Sequence, residues 1–254
     1  MLHFNLLFKV WFFILMVFYV SVFQQIDARE VVRKADEKYR GSKSSYAEIT
    51  ITIERPGWSR QMSIKTWTMG EKYAMVLATA PPKEKGTAFL KRDQEIWNWV
   101  PRVERTIKLP PSMMSQSWMG TDFTNDDLIK QSSVVNDYNH SLLSEEVIDG
   151  LSCHKIQLIP KPDAAVVWGK IITWIDKKDF MQLKVDFYDE YGDLINTMKA
   201  YDIKELGGKI LPTTIEMIPH EKKGYKTIMQ YHVLQYEIPL NENFFSTSNM
   251  LNLR

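Results

Sequence analysis

Asp122, Asp126 and Asp127 form the densest group of carboxylates outside the stretches that alternate apolar and polar residues. Carboxylates this close together have three uses: capping a helix and bonding loop amides, supporting a neighbouring site, or supplying acid/base or metal-binding oxygens. A calcium loop needs the order D-x-D-x-D-G, which this segment lacks. The histidines, His3, His140, His154, His220 and His232, show no ligand spacing. His220-Glu221 runs into Lys222-Lys223-Gly224, so there is no H-E-x-x-H. Cys153 and His154 are adjacent, and adjacent residues on a strand point to opposite faces, which argues against a catalytic thiol–imidazole pair. Cys153 reads as a small core residue. The chain holds no G-x-S-x-G, no G-x-x-x-x-G-K-[ST] and no G-x-G-x-x-G. The expectation is a protein without catalytic residues, metal or redox cofactor. A hydrolase remains as the reading that would use Asp122, Asp126 and Asp127.

The elements that must position these residues are mostly strands. Residues 30–40 are the first helix candidate, with Val31, Val32, Ala35 and Tyr39 on one face and Gly41 to end it. After that, alternation dominates. Ala47, Ile49, Ile51 and Ile53 interleave with Thr50, Thr52 and Glu54. Met181, Leu183, Val185 and Phe187 interleave with Gln182, Lys184, Asp186 and Tyr188. Asp149-Gly150 and Gly207-Gly208 each sit between two such runs, the signal of a two-residue hairpin. About eleven strands joined by short turns argue for one antiparallel sheet. Residues 73–80 and 95–100 are apolar on both faces, as in a sheet curved around a helix or a lipid, or one sandwiched in a core.

Composition narrows the classes. The chain has 254 residues, 44% of them apolar and 25% charged, the balance of a globular protein rather than a disordered or multi-spanning one. Its 32 basic and 31 acidic residues leave a net charge of +1, without the basic excess that nucleic acid demands of a partner. The single cysteine excludes an intramolecular disulfide. At the N-terminus Lys9 precedes an uncharged run at 10–23, shorter than the roughly 18–20 residues that span a bilayer. Positive, apolar, polar is the order of a secretory signal peptide, here residues 1–28 with Ile26 and Ala28 before the cut. The expected protein is exported to a periplasm with its domain at 29–254. Left uncut, the same run is a membrane anchor.

Between residues 110 and 137 the alternation stops. Met113, Met114, Trp118, Met119 and Phe123 lie there among small and polar residues. Methionine suits adaptable apolar contacts, and a connection this long in a compact domain is often functional. It reads either as a mobile lid or as a structural excursion covering one end of the sheet. Residues 124–131 read as a short helix capped by Thr124, with Asp127 where a capping box prefers Glu.

Three blocks carry a resemblance. The first is Pro82 to Leu90 (PKEKGTAFL), followed by Trp97-Asn98-Trp99-Val100-Pro101 and Arg105. The second is Trp118 to Leu128 (WMGTDFTNDDL). The third begins at Leu142-Leu143-Ser144-Glu145-Glu146, reaches Gly150, and continues through Trp174-Ile175-Asp176 to Tyr188-Asp189 and Gly192. In this order, over about residues 30–250, they resemble the LolA-like family of outer-membrane lipoprotein-sorting proteins. Thr121 stands where Ser is the other choice in the M-G-[ST]-D-F block. The resemblance implies an α+β, mostly β fold: an incomplete antiparallel barrel wrapped around a few helices, with an apolar concave cavity and a helical lid. It implies a periplasmic carrier of lipid or lipoprotein acyl chains. It is to the broader branch, so the archetypal carrier's functional arginine is not transferred to Arg92, Arg102 or Arg105.

The physics of such a carrier is simple. Each acyl methylene left in water costs about 0.8 kcal/mol, so a chain of about 15 carbons costs roughly 12 kcal/mol. The ligand-contact candidates are Trp97, Trp99, Met113, Met114, Trp118, Met119 and Phe123, each with ordinary core packing as its alternative. An accessory module of an inner-membrane lipid transporter is the second reading. Lipid extracted from purified protein separates the first from the second, and turnover lost on Asp122→Asn would favour the hydrolase.

Overall fold

Thirteen strands form one antiparallel sheet in the computed structural model, which describes residues 26–41, 43–130 and 133–253. The expected signal segment lies almost wholly outside the described residues. The strands are β1 (Ser44–Arg55), β2 (Trp58–Met69), β3 (Tyr73–Ala80), β4 (Ala88–Arg92), β5 (Glu95–Val100), β6 (Arg105–Lys108), β7 (Tyr138–Ile148), β8 (Leu151–Pro160), β9 (Lys170–Asp176), β10 (Gln182–Tyr188), β11 (Leu194–Leu206), β12 (Lys209–Pro219) and β13 (Lys226–Tyr236). Their spatial order is 6-5-4-3-2-1-13-12-11-10-9-8-7, and the sheet does not close. The incomplete barrel is therefore present, with more strands than the expected eleven. One that the sequence hides is β6, whose four residues are all exposed and carry no apolar alternation.

The order explains the long connection. β6 and β7 are the two edges of the sheet, so residues 109–137 must cross from one edge to the other. The two predicted hairpins form where expected. Asp149 and Gly150 both have positive φ, 47° and 82°, which matches the twist of the flanking strands and pairs Ile148 with Leu151. At Gly207 a β-carbon would stand 2.5 Å from the Leu234 carbonyl, so only glycine fits.

Helix α1 (Ala28–Arg40) lies against the concave face. Asp27 caps it by accepting from the Arg29 and Glu30 amides at 2.9 and 3.3 Å. Gly41 ends it at φ 73°. Ala28, Val31, Val32 and Ala35 are buried in the main core together with Ile49, Ile51, Ile215 and Met229 of the sheet. The outer face of β3–β5 carries a second apolar cluster. Met75, Leu77 and Leu90 meet Phe245 and Met250 there, from a C-terminal segment that ends in helix α2 (Thr247–Asn252). That is why residues 73–80 are apolar on both sides: Val76 and Ala78 face the main core, Met75 and Leu77 the C-terminal segment.

Candidate functional site

An apolar cavity of about 290 Å3 lies between α1, the long connection and the concave wall of the sheet. It stands at the small end of the roughly 300–1,000 Å3 typical of ligand pockets. Val32, Ala35 and Tyr39 of α1 form one side, and Ala47, Ile49, Ile64 and Val76 form the wall of β1–β3. Val185, Phe187, Met198, Met217 and Tyr231 complete it from the other half of the sheet, with Trp168 from the connection before β9. Trp168 and Phe187 pack with ring centres 5.0 Å apart, and Tyr39 lies 5.2 Å from Tyr231. At the end of α1 the half-buried Arg40 pairs with Asp36 at 3.1 Å.

The long connection closes one end of this space. Trp118 and Phe123, both predicted contacts, line the cavity and are 1% and 2% exposed. Met114 is buried in the same core, and Met113 and Met119 pack against it. The Trp118 indole packs tilted against Phe89, ring centres 5.6 Å apart, and its Nε1 has no partner among the described residues. Trp97 and Trp99 are not at the cavity. They lie on the outer face of β5, against the C-terminal segment, because odd positions of this strand point away from the core that Ile96 enters. Their assignment as ligand contacts is corrected to outer-face packing.

The connection is pinned in place. Asp122 pairs with Arg55 at 2.9 Å, both side chains almost wholly buried. Thr227 donates to the same carboxylate at 2.7 Å and accepts from the Asp122 amide at 2.9 Å. Arg55 also donates to the Gly120 carbonyl at 3.0 Å, and Arg60 donates to the Met119 carbonyl. A side chain at Gly120 would meet Arg60 at 2.9 Å, and φ there is 77°. Thr121 donates to the Trp118 carbonyl at 2.7 Å. The M-G-T-D-F block is thus a docking plug, not a free flap, and the helical cover over the concave face is α1.

The acids resolve into structural roles. Thr124 and Asp127 form the reciprocal capping box: the Thr124 amide donates to Asp127 at 2.8 Å and the Asp127 amide to Thr124 Oγ1 at 3.1 Å. They open a π-helical turn, Asp126–Lys130. Trp168 Nε1 donates to the other Asp127 oxygen at 3.0 Å. Burial raises the Asp127 pKa from 3.8 to about 6, against the pull of these hydrogen bonds. A further polar group, Thr197 between Asp186 and His220, lacks triad logic, since Asp186 holds the threonine rather than the imidazole. Among the described residues no three His, Cys, Asp or Glu side chains gather in a metal-binding group, and no helix is long and apolar enough to cross a membrane.

The sequence candidates left out the rest of the cavity lining, above all Tyr231 on β13, Trp168 before β9 and the α1 face. Tyr231 had a signal: Thr227, Met229 and Tyr231 alternate on β13 with exposed or half-buried residues.

Comparison with known proteins agrees with this geometry. A family model described as an uncharacterized protein matches residues 70–252. An uncharacterized protein from Methanocaldococcus jannaschii is 25% identical over 69% of this chain, which spans about half (48%) of that curated relative's length. A solved domain from Vibrio parahaemolyticus named for outer membrane lipoprotein sorting superposes with a TM-score of 0.77 at 22% identity, covering 88% of this chain and 98% of its own. A LolA superfamily protein from Nitrosomonas europaea gives 0.77 at 24% identity, with 88% and 99% covered. At these identities the likeness shows the fold alone, which this chain shares with both solved proteins.

Proposed function

The chain belongs to the uncharacterized family whose model spans residues 70–252, and on that premise we propose that it is a non-enzymatic carrier of acyl chains. The cargo is a lipoprotein or another lipid, held in the cavity under α1 and moved through a periplasm toward the outer membrane. The observation that carries this reading is the apolar cavity on the concave face, closed by α1 and the pinned connection. Taking a chain out of water yields about 0.8 kcal/mol per methylene, enough to hold it across an aqueous gap. The solved neighbours, one named for outer membrane lipoprotein sorting and one for the LolA superfamily, share the fold and add support. The roles found for Asp122 and Asp127, an ion pair and a capping box, speak against the hydrolase. Native mass spectrometry of the full chain, purified without detergent, tests the proposal. Protein carrying releasable lipid mass is expected, and protein that is bare and takes up no added lipid contradicts it.

A further inference from the structure

The polar groups of the cavity wall are mostly satisfied. Asp36 pairs with Arg40, Ser45 bonds Thr68 at 2.7 Å, and Thr173 bonds Gln182 at 3.0 Å. The exceptions are the Trp118 indole N–H and two hydroxyls. Neither Tyr231 nor Thr66 holds a side-chain hydrogen bond among the described residues. They share one wall: Tyr231 pairs across β1 with Ile49, Ile49 with Ile64 on β2, and Thr66 follows two residues on. Burial pushes the Tyr231 phenol up to about 12, so it stays a neutral O–H donor near neutral pH. A half-buried donor on a cavity wall with no protein acceptor is available to an acceptor that enters the cavity. A plain alkyl chain offers none.

We propose that Tyr231 reads the cargo, and that the cavity takes an acyl chain whose neutral carbonyl, ester or amide, is carried inside and accepts the Tyr231 hydroxyl. This rests on the lipid-binding reading and narrows its ligand class. An anionic head is a poor fit at the same place. Arg40 is the one cationic side chain on the cavity wall among the described residues, and Asp36 already neutralises it. Burial of Asp127 in the same wall favours its protonated form, so a second carboxylate meets the same resistance.

The test titrates the full chain and its Tyr231→Phe variant with methyl palmitate, hexadecane and sodium palmitate, following tryptophan fluorescence. Methyl palmitate affinity should fall about tenfold in Tyr231→Phe, while hexadecane affinity stays within about twofold. Palmitate should bind the native chain more weakly than its methyl ester. Equal ester affinity in the two proteins, with hexadecane still bound, overturns the carbonyl contact and leaves the cavity reading standing. Palmitate binding more tightly than the ester also overturns it. Failure of every probe, hexadecane included, removes the lipid-binding reading and this inference with it. Should Tyr231→Phe not fold, the native chain decides: ester bound more tightly than hydrocarbon supports the contact, and equal affinity overturns it.

Discussion

Asp122 and Arg55 meet at 2.9 Å in a nearly solvent-free ion pair that fastens the connection between the two sheet edges to the end of β1. Removing one partner of such a pair leaves an uncompensated buried charge. Asp122→Asn should therefore cost about 3–5 kcal/mol of stability, read as a shift of the urea midpoint. A variant as stable as the native chain would contradict the plug role.

Asp127 makes stability depend on pH. Its folded pKa, about 6, lies above the ordinary 3.8, so the folded state binds its proton more tightly. Its contribution is full below about 4 and is lost as pH rises through about 6. Asp127→Asn should flatten the stability profile across that window. An unchanged slope would show that another group sets it.

The Asp27 cap bears on the cleavage expected after Ala28. Asp27 bonds the first amides of α1, and Ala28 is buried behind it. A chain beginning at Arg29 should be about 1 kcal/mol less stable than one beginning at Ile26. Equal urea midpoints would show that the cap contributes nothing.

The outer-face cluster predicts a role for the C-terminal segment. Phe245 is fully buried against Tyr73, with ring centres 5.4 Å apart. Phe245→Ala should cost about 3–5 kcal/mol and raise acrylamide quenching of Trp97 and Trp99. Unchanged quenching would contradict their placement under this segment.

Much of this was legible in residue patterns. The hairpins at Asp149-Gly150 and Gly207-Gly208 are local, fixed by positive φ at the turn, and so is the Thr124–Asp127 box. The two-sided character of residues 73–80 was visible too. Alternation says that a strand has two faces; it does not say which one is concave, and Trp97 and Trp99 fell on the other side. Arg55 and Asp122 are far apart in the chain, and nothing local announces their pairing. Tyr231 looked like any strand aromatic until its hydroxyl was seen without a partner.

The central claim is that the concave cavity binds acyl chains by burying them. A chain-length series of methyl esters, titrated into the full chain and into Ala200→Trp, tests it most directly, since Ala200 lines the cavity and a large ring there fills it. Affinity should rise about fourfold per added methylene until the cavity is full, as about 0.8 kcal/mol per buried methylene requires, and Ala200→Trp should lose the rise while keeping its fold. Affinity independent of chain length, or a series unchanged by Ala200→Trp, would contradict the account.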